Sequence, residues 1–190
     1  ELFKIAEENI KTEVAPINIV IKEAIREIEE AGKREDALVG TPSGFTKLDR
    51  LTSGWQKAEL VIIAARPSMG KTSLALNIAA NVAIEAKIPV GIFSLEMSSD
   101  QLIDRLIASY ANVDMYKLRT GMLSAEGEDN DFTRIQHAMG LLSEMPLYVD
   151  DDASINVLQM RAMARRLQAE KGLGLIIIDY LQLMQPTNPN

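Results

Sequence analysis

The sequence predicts an α/β domain whose mainly parallel sheet is flanked by helices, with a short helical segment in front of it. Three observations lead to this reading. From Thr41 onward, short runs of Val, Ile and Leu alternate with helical patterns, as in a parallel sheet covered on both faces. One of these runs passes through a loop into Gly70-Lys71-Thr72, the strand–loop–helix setting of a phosphate-binding loop. The first 40 residues, rich in Glu, Lys and Ile, differ in character from all that follows.

Taken in order, residues 1–40 hold two helical patterns. Leu2 to Lys11 places Leu2, Ile5, Ala6, Asn9 and Ile10 on a common side, and Pro16 ends that pattern or starts the next. Ile17, Ile21, Ala24, Ile25 and Ile28 then recur with helical spacing and form one apolar stripe, which closes in the Glu- and Lys-rich run Glu29 to Asp36. Two such short helices cannot bury their stripes alone, so they are expected to dock on the following domain or on another subunit. Thr41-Pro42-Ser43-Gly44 reads as a turn. Expected strands follow at Leu60–Ala65, Val90–Leu95, Leu147–Asp150 and Leu175–Asp179. Expected helices are Thr72–Glu85, Gln101–Tyr110, Phe132–Leu142 and Ile155–Glu170, with serine caps at Ser98 or Ser99, Ser124 and Ser154.

Composition narrows the chemistry. The 190 residues are 47% hydrophobic and 25% charged, an ordinary globular balance that excludes a mainly disordered or collagen-like chain. Apolar runs such as Leu60 to Ala65 fall far short of the roughly 18 residues of a membrane span. The lack of cysteine excludes a disulfide scaffold, a thiolate zinc site and a cysteine nucleophile, and the single His137 excludes a multi-histidine metal site. His137, beside Gln136 in a helical pattern, reads as a surface residue. The chain starts at Glu1 with no leader pattern, so it is expected to start inside a longer product or to be processed. Twenty basic residues stand against 27 acidic ones, a net charge of −7. Nucleic acid would therefore have to be met by a few focused contacts, not by a broadly basic face.

The segment from Leu60 to Thr72 is the most informative. Gly70 would let backbone approach phosphate oxygens, the amides at the helix start would point at the anion, Lys71 would reach the β- and γ-phosphates and the Thr72 hydroxyl would ligate Mg²⁺. The following helix carries Leu74, Ile78, Ala79 and Val82 as its apolar positions. The pattern G-x-x-x-x-G-K-[ST] asks for glycine where this chain has Ala65, so the strict motif fails, and a chance Gly-Lys-Thr is the alternative. Asp179 ends an apolar strand, where a carboxylate can hold Mg²⁺, often through water; a buried strand with a capping aspartate is the alternative. Glu96 ends another strand, at the sheet edge where ligands bind, and could orient and deprotonate an attacking water; it could equally cap the next helix or be a surface acid. Trp55 is expected to pack under the loop before the first strand. Arg161, Arg165, Arg166 and Lys171 read as a solvated basic face, and Asp150-Asp151-Asp152 as an acidic strand end and loop.

Ala64-Ala65-Arg66-Pro67-Ser68-Met69-Gly70-Lys71-Thr72, Phe93-Ser94-Leu95-Glu96-Met97-Ser98 and Asp179-Tyr180-Leu181-Gln182-Leu183-Met184 together resemble the bacterial replicative DNA helicase (DnaB) family. Thr41 to Arg50 is similar to that family's entry into its ATPase domain, and Leu2 to Glu7 resembles its linker helix. Ala65 is usual there. The resemblance implies a RecA-like P-loop NTPase fold over residues 41–190, incomplete at its C-terminal end, behind a helical linker at 1–40. It implies a hexameric, ATP-dependent helicase moving 5′ to 3′ on single-stranded DNA, in the bacterial cytoplasm with the nucleoid, with primase and a helicase loader as partners and no membrane. It places Arg66, Pro67, Ser68, Met69, Gly70, Lys71, Thr72 and Ser73 around the nucleotide, Thr72 and Asp179 at magnesium, and Glu96 as catalytic base. DNA-binding loops, sensor residues and an arginine finger are expected beyond Asn190. A RecA-type recombination or repair ATPase and a non-catalytic nucleotide-binding assembly module remain the other readings.

Overall fold

The computed structural model describes residues 16–19, 21–22, 25–26, 39–127 and 129–186. The chain divides into two compact units, Glu1–Val39 and Gly40–Asn190. In the first unit, residues 17–19, 21–22 and 25–26 are helical, and the stripe residues Ile17, Ile21 and Ile25 are exposed. Ala24, Ile28 and the expected helix Leu2–Lys11 lie outside the described residues.

The second unit is built on three parallel strands, β1 (Val90–Ser94), β2 (Leu147–Asp150) and β3 (Leu175–Asp179), in the spatial order β2-β1-β3. Central β1 is buried along its whole length, the property of a strand covered on both faces. Its register aligns Val90 with both Leu147 and Leu175, and Ser94 with Asp179. Alternation splits its side chains between two cores. Val90 and Ile92 pack with Leu76, Ile78, Ala79, Val82, Leu102 and Leu106. Phe93 and the following Leu95 pack with Ile155 and Met160 on the other face.

The helices are α1 (Thr46–Thr52), α2 (Lys71–Ile84), α3 (Ser99–Ala111), α4 (Met115–Thr120), α5 (Asp131–Ser143) and α6 (Val157–Lys171). Four match the expected helices to within two residues at each end. Helix α2 is buried along Leu76, Ile78, Ala79, Ala80, Val82 and Ala83, while Leu74, expected on its apolar side, faces out. Helices α1 and α4, of 7 and 6 residues, were not expected, because two turns or fewer carry too little periodicity to read.

Capping separates from expectation in two places. Ser98 precedes α3 as expected, its N–H donating to Gln101 Oε1 at 3.3 Å. Asn130, not Ser124, caps α5 through Oδ1, which accepts from Thr133 N–H at 3.0 Å. Asn156, not Ser154, caps α6, accepting from the N–H groups of Leu158 and Gln159 at 3.0 Å each while its own N–H donates to Gln159 Oε1. Ser154 instead donates to Asp152. In both places the carboxamide oxygen sits on the residue directly before the helix, within reach of the second and third amides, while Ser124 and Ser154 lie six and two residues further back.

The expected first strand, Leu60–Ala65, is not a strand. None of these residues joins a ladder among the described residues. Leu60 and Ile62 are 80% and 74% exposed. A cleft of about 690 Å³ separates residues 60–63 from Leu175–Ile178 of β3. The run has the Val and Ile content of a strand, but a strand exists only through hydrogen bonds to a neighbour, and among the described residues this run makes none.

Thr41–Gly44, read as a turn, instead holds a bridge at Thr41 and a bend at Gly44, and is tied down by a carboxylate. Asp49 accepts from the Ser43 N–H at 2.7 Å, the Ser43 hydroxyl at 2.6 Å and the Gly44 N–H at 3.2 Å. Thr41 and Trp55 exchange two backbone hydrogen bonds of 2.8 Å, and Trp55 is half-buried against the main core. His137 is exposed, as expected. Among the described residues no helix is long and apolar enough to cross a membrane.

A second carboxylate organises the far end of the unit. Buried Asp131 accepts from the Ser124 N–H at 2.9 Å and pairs with Lys117 at 3.1 Å and with Arg134. It thereby joins α4, the loop after it and α5. The Ser124 N–H, then the Lys117 and Arg134 partners, hold its carboxyl at about 2, below the ordinary 3.8. A depressed carboxylate stabilises the fold in full above its ordinary value, and that contribution is lost as pH falls through the folded value. Asp131→Asn is expected to lower stability at neutral pH and to flatten the acid-side loss between about pH 4 and about 2, the window set by the two values. Urea unfolding at a series of pH values checks this; an unchanged acid limb would show that Asp131 carries no pH-linked stability.

Candidate functional site

The loop between Ala65 and α2 is open to solvent from Arg66 to Gly70. Ser68 and Gly70 both have left-handed backbone, with φ of 64° and 86°. Gly70 is the N-cap of α2, with no side chain capping the helix, and its carbonyl accepts the first helical bond from Leu74 at 2.9 Å. The N–H groups of the first turn therefore point into the open loop with the positive end of the helix dipole behind them. An added Cβ at Gly70 would meet nothing within 4 Å, so glycine is needed there for its backbone angle and not for space.

Two side chains of that first turn reach across the sheet edge to β3. Lys71 Nζ lies 2.8 Å from Asp179 Oδ1, with Asp179 almost fully buried. Thr72 Oγ1 donates to Asp179 Oδ2 at 2.6 Å. Lys71 Nζ also sits 4.1 Å from the centre of the Tyr180 ring. Asp179 is fixed by the β1 register, and its carbonyl accepts from Leu95 N–H at 2.8 Å. It is therefore not a helix cap. The fold brings Lys71, Thr72 and Asp179 together, while Arg66, Pro67, Ser68 and Met69 form the exposed loop beside them and Ser73 lies exposed on the first turn.

Glu96 sits two residues beyond the end of β1, at the same carboxyl edge as Asp179. Ser94 sets the bend there: its hydroxyl donates to the Met97 carbonyl at 2.7 Å and accepts from the Met97 N–H at 3.3 Å. Glu96 is left exposed, and since Ser98 begins α3, Glu96 is not its cap. Among the described residues its carboxylate makes no side-chain hydrogen bond or ion pair.

Four contacts were not read from sequence. Tyr180 stands against Lys71; an aromatic directly after a strand-end aspartate is the signal that marks it. Arg105 of α3 reaches Ser73 Oγ at 3.5 Å, and Ser109 reaches Asn77, so α3 lies alongside the first turns of α2. Asp151 accepts from the Ser99 N–H at 2.7 Å, a carboxylate at the positive end of α3; that hydrogen bond lowers its pKa. The three aspartates 150–152 thus serve the strand end and loop, and among the described residues no cluster of three or more His, Cys, Asp or Glu could hold a metal.

A strand-end carboxylate meeting the lysine and threonine of a glycine-led helix start, on a parallel sheet, defines a domain of the P-loop class. Residues 40–190 match the family model described as DnaB-like helicase C terminal domain. The chain belongs to that family. It is similar to the replicative DNA helicases DnaB of Nostoc sp. (46% identity, all of this chain, 21% of the relative) and Geobacillus stearothermophilus (48%, 89% of this chain, 36% of the relative). Among solved structures it is similar to the ATPase domain of G40P, with TM-score 0.83 and 33% identity over 94% of this chain and 61% of that one. It is also similar to a DnaB-like replicative helicase studied with primase, with TM-score 0.79 and 30% identity over all of this chain and 44% of that one. The chain thus spans between a fifth and two fifths of the length of these curated relatives.

Gly70→Ala is expected to destabilise the domain by roughly 1–2 kcal/mol, the cost of left-handed backbone for an L side chain. Because the Cβ has open space, the cost is confined to φ. Urea unfolding checks it, and an unchanged midpoint would show that the loop relaxes to accept the alanine.

Proposed function

We propose that residues 40–190 are the nucleotide-hydrolysing domain of an ATP-dependent replicative DNA helicase. The observation that carries this is the meeting of Lys71 and Thr72 with Asp179, 107 residues beyond Thr72, because a lysine, a threonine hydroxyl and a strand-end aspartate at one sheet edge are the groups that hold phosphate and its bound cation in P-loop sites. In this reading the free N–H groups of the α2 start and the exposed loop Arg66–Met69 receive the phosphates. Lys71 exchanges Asp179 for phosphate oxygens.

The same residues fit Mg²⁺. The Thr72 hydroxyl and the Asp179 carboxylate are hard oxygen donors 2.6 Å apart, and that carboxylate already carries a cation, the Lys71 ammonium. Magnesium favours this kind of partial site, completed by water and substrate phosphate. Thr72 and Asp179 would hold it, and it would neutralise charge developing on the phosphoryl oxygens. Glu96, exposed at the same edge and free of side-chain partners among the described residues, would orient the attacking water and take its proton.

The whole protein, in this reading, is a hexameric ring moving 5′ to 3′ on single-stranded DNA and unwinding duplex at the fork, in the cytoplasm with the nucleoid. Residues 1–40 would be its linker, docking on a neighbouring subunit, with primase and a helicase loader as partners. The named relatives are replicative helicases, which supports this over a recombination ATPase, and one similar structure concerns interactions with primase.

Lys71→Ala in the full-length protein is expected to abolish ATP hydrolysis, since it removes the cation placed on the transferring phosphoryl group. A steady-state ATPase assay giving near-normal kcat would sink the nucleotide reading. Glu96→Gln is expected to bind ATP almost normally and to hydrolyse it roughly 100-fold more slowly, the scale of a lost general base. Lost affinity with normal turnover per bound ATP would instead mean that Glu96 shapes the loop.

A further inference from the structure

We propose that Tyr180 is a positioning residue for Lys71, its ring face holding the ammonium at the site mouth once Asp179 is engaged by a metal-bound nucleotide. The inference rests on the nucleotide reading above. Lys71 has two partners, and they differ in kind. Asp179 Oδ1, at 2.8 Å, is a charge partner, and the other oxygen of the same carboxylate already takes the Thr72 hydroxyl. The Tyr180 ring, 4.1 Å away, attracts the cation through its quadrupole and competes with neither oxygen.

The two seats respond differently to a ligand. A divalent cation drawn to Asp179 and Thr72 repels the Lys71 ammonium and removes its charge partner. The ring keeps its attraction, because it carries no net charge for the metal to neutralise. Without a second seat, a lysine released from Asp179 regains its rotamers, and ordering it again on the phosphates costs affinity. Lys71 is already partly shielded, its side chain 28% exposed, and a cation–π contact gains strength as water is excluded. The backbone supplies the placement. Tyr180 directly follows Asp179, whose position is set by the β1 register, so one strand end delivers both seats.

The test uses the full-length protein and a fluorescent ADP analogue with Mg²⁺, read as equilibrium affinity so that turnover plays no part. Tyr180→Leu is expected to weaken binding roughly threefold to tenfold, the range of a cation–π contact. Tyr180→Phe, which keeps the ring, is expected to restore affinity to within about twofold of the parent, since Phe is only a slightly weaker partner. A double-mutant cycle with Lys71→Met, read as melting temperature without nucleotide, separates this from a packing role. The loss caused by Tyr180→Leu should shrink when Lys71 is already Met. Equal losses in both backgrounds, or Phe binding as poorly as Leu, would overturn the role of Tyr180 while leaving the nucleotide site intact. Failure of the parent protein to bind the analogue would overturn the nucleotide reading and this role with it.

Discussion

The carboxylate of Asp179 is the point on which the site depends. Both of its oxygens are used, one by Lys71 and one by Thr72, and both partners come from the first turn of a helix far away in sequence. Hydrogen bonds to a charged group are worth about 1.5–3 kcal/mol each, so the pair fastens the loop and the start of α2 to the sheet. The fastening works only because β3 lies in register beside a fully buried β1, with Ser94 opposite Asp179. A one-residue slip of β3 would turn Asp179 to the other face. Sheet register, set by the two apolar cores, is therefore what decides the chemistry at the edge.

Aspartate repeats this role elsewhere. Asp49 gathers Ser43 and Gly44, Asp131 joins α4 to α5, and Asp151 meets the start of α3. In each case a carboxylate accepts a backbone N–H that would otherwise be left without a partner. A chain of net charge −7 thus uses part of its acid as internal acceptors. Glu96 differs, being exposed at the sheet edge and, among the described residues, without a side-chain partner.

The Lys71 contacts also describe how such a site waits. The cation that would meet a phosphate is already neutralised by the carboxylate that would meet the metal. Neither charge faces a low-dielectric wall alone, which would be costly. A ligand that brings both an anion and a divalent cation exchanges one balanced set for another, whereas either ion alone would leave one partner unbalanced. In the proposed reading this would favour the metal–nucleotide pair over free phosphate on electrostatic grounds.

The alternation of apolar runs and helical periods was enough to place β1, β2, β3 and the four longer helices, because each pattern is long enough to repeat. Gly70-Lys71-Thr72 and the strand-end Asp179 were legible for the same reason: their local settings, a helix start and the end of an apolar run, are written in neighbouring residues. The caps of α5 and α6 were misplaced because Ser, Asn and Asp cluster there and only geometry shows which oxygen reaches the second or third amide. Leu60–Ala65 has strand composition and yet forms no ladder, since pairing is a property of two segments and not of one. The contact of Lys71 with both Asp179 and Tyr180 was likewise beyond the sequence. Residue types and local periods determined the elements and the candidate groups; which groups touch was decided by parallel register and by the two cores that hold it, because those distances join residues about a hundred positions apart.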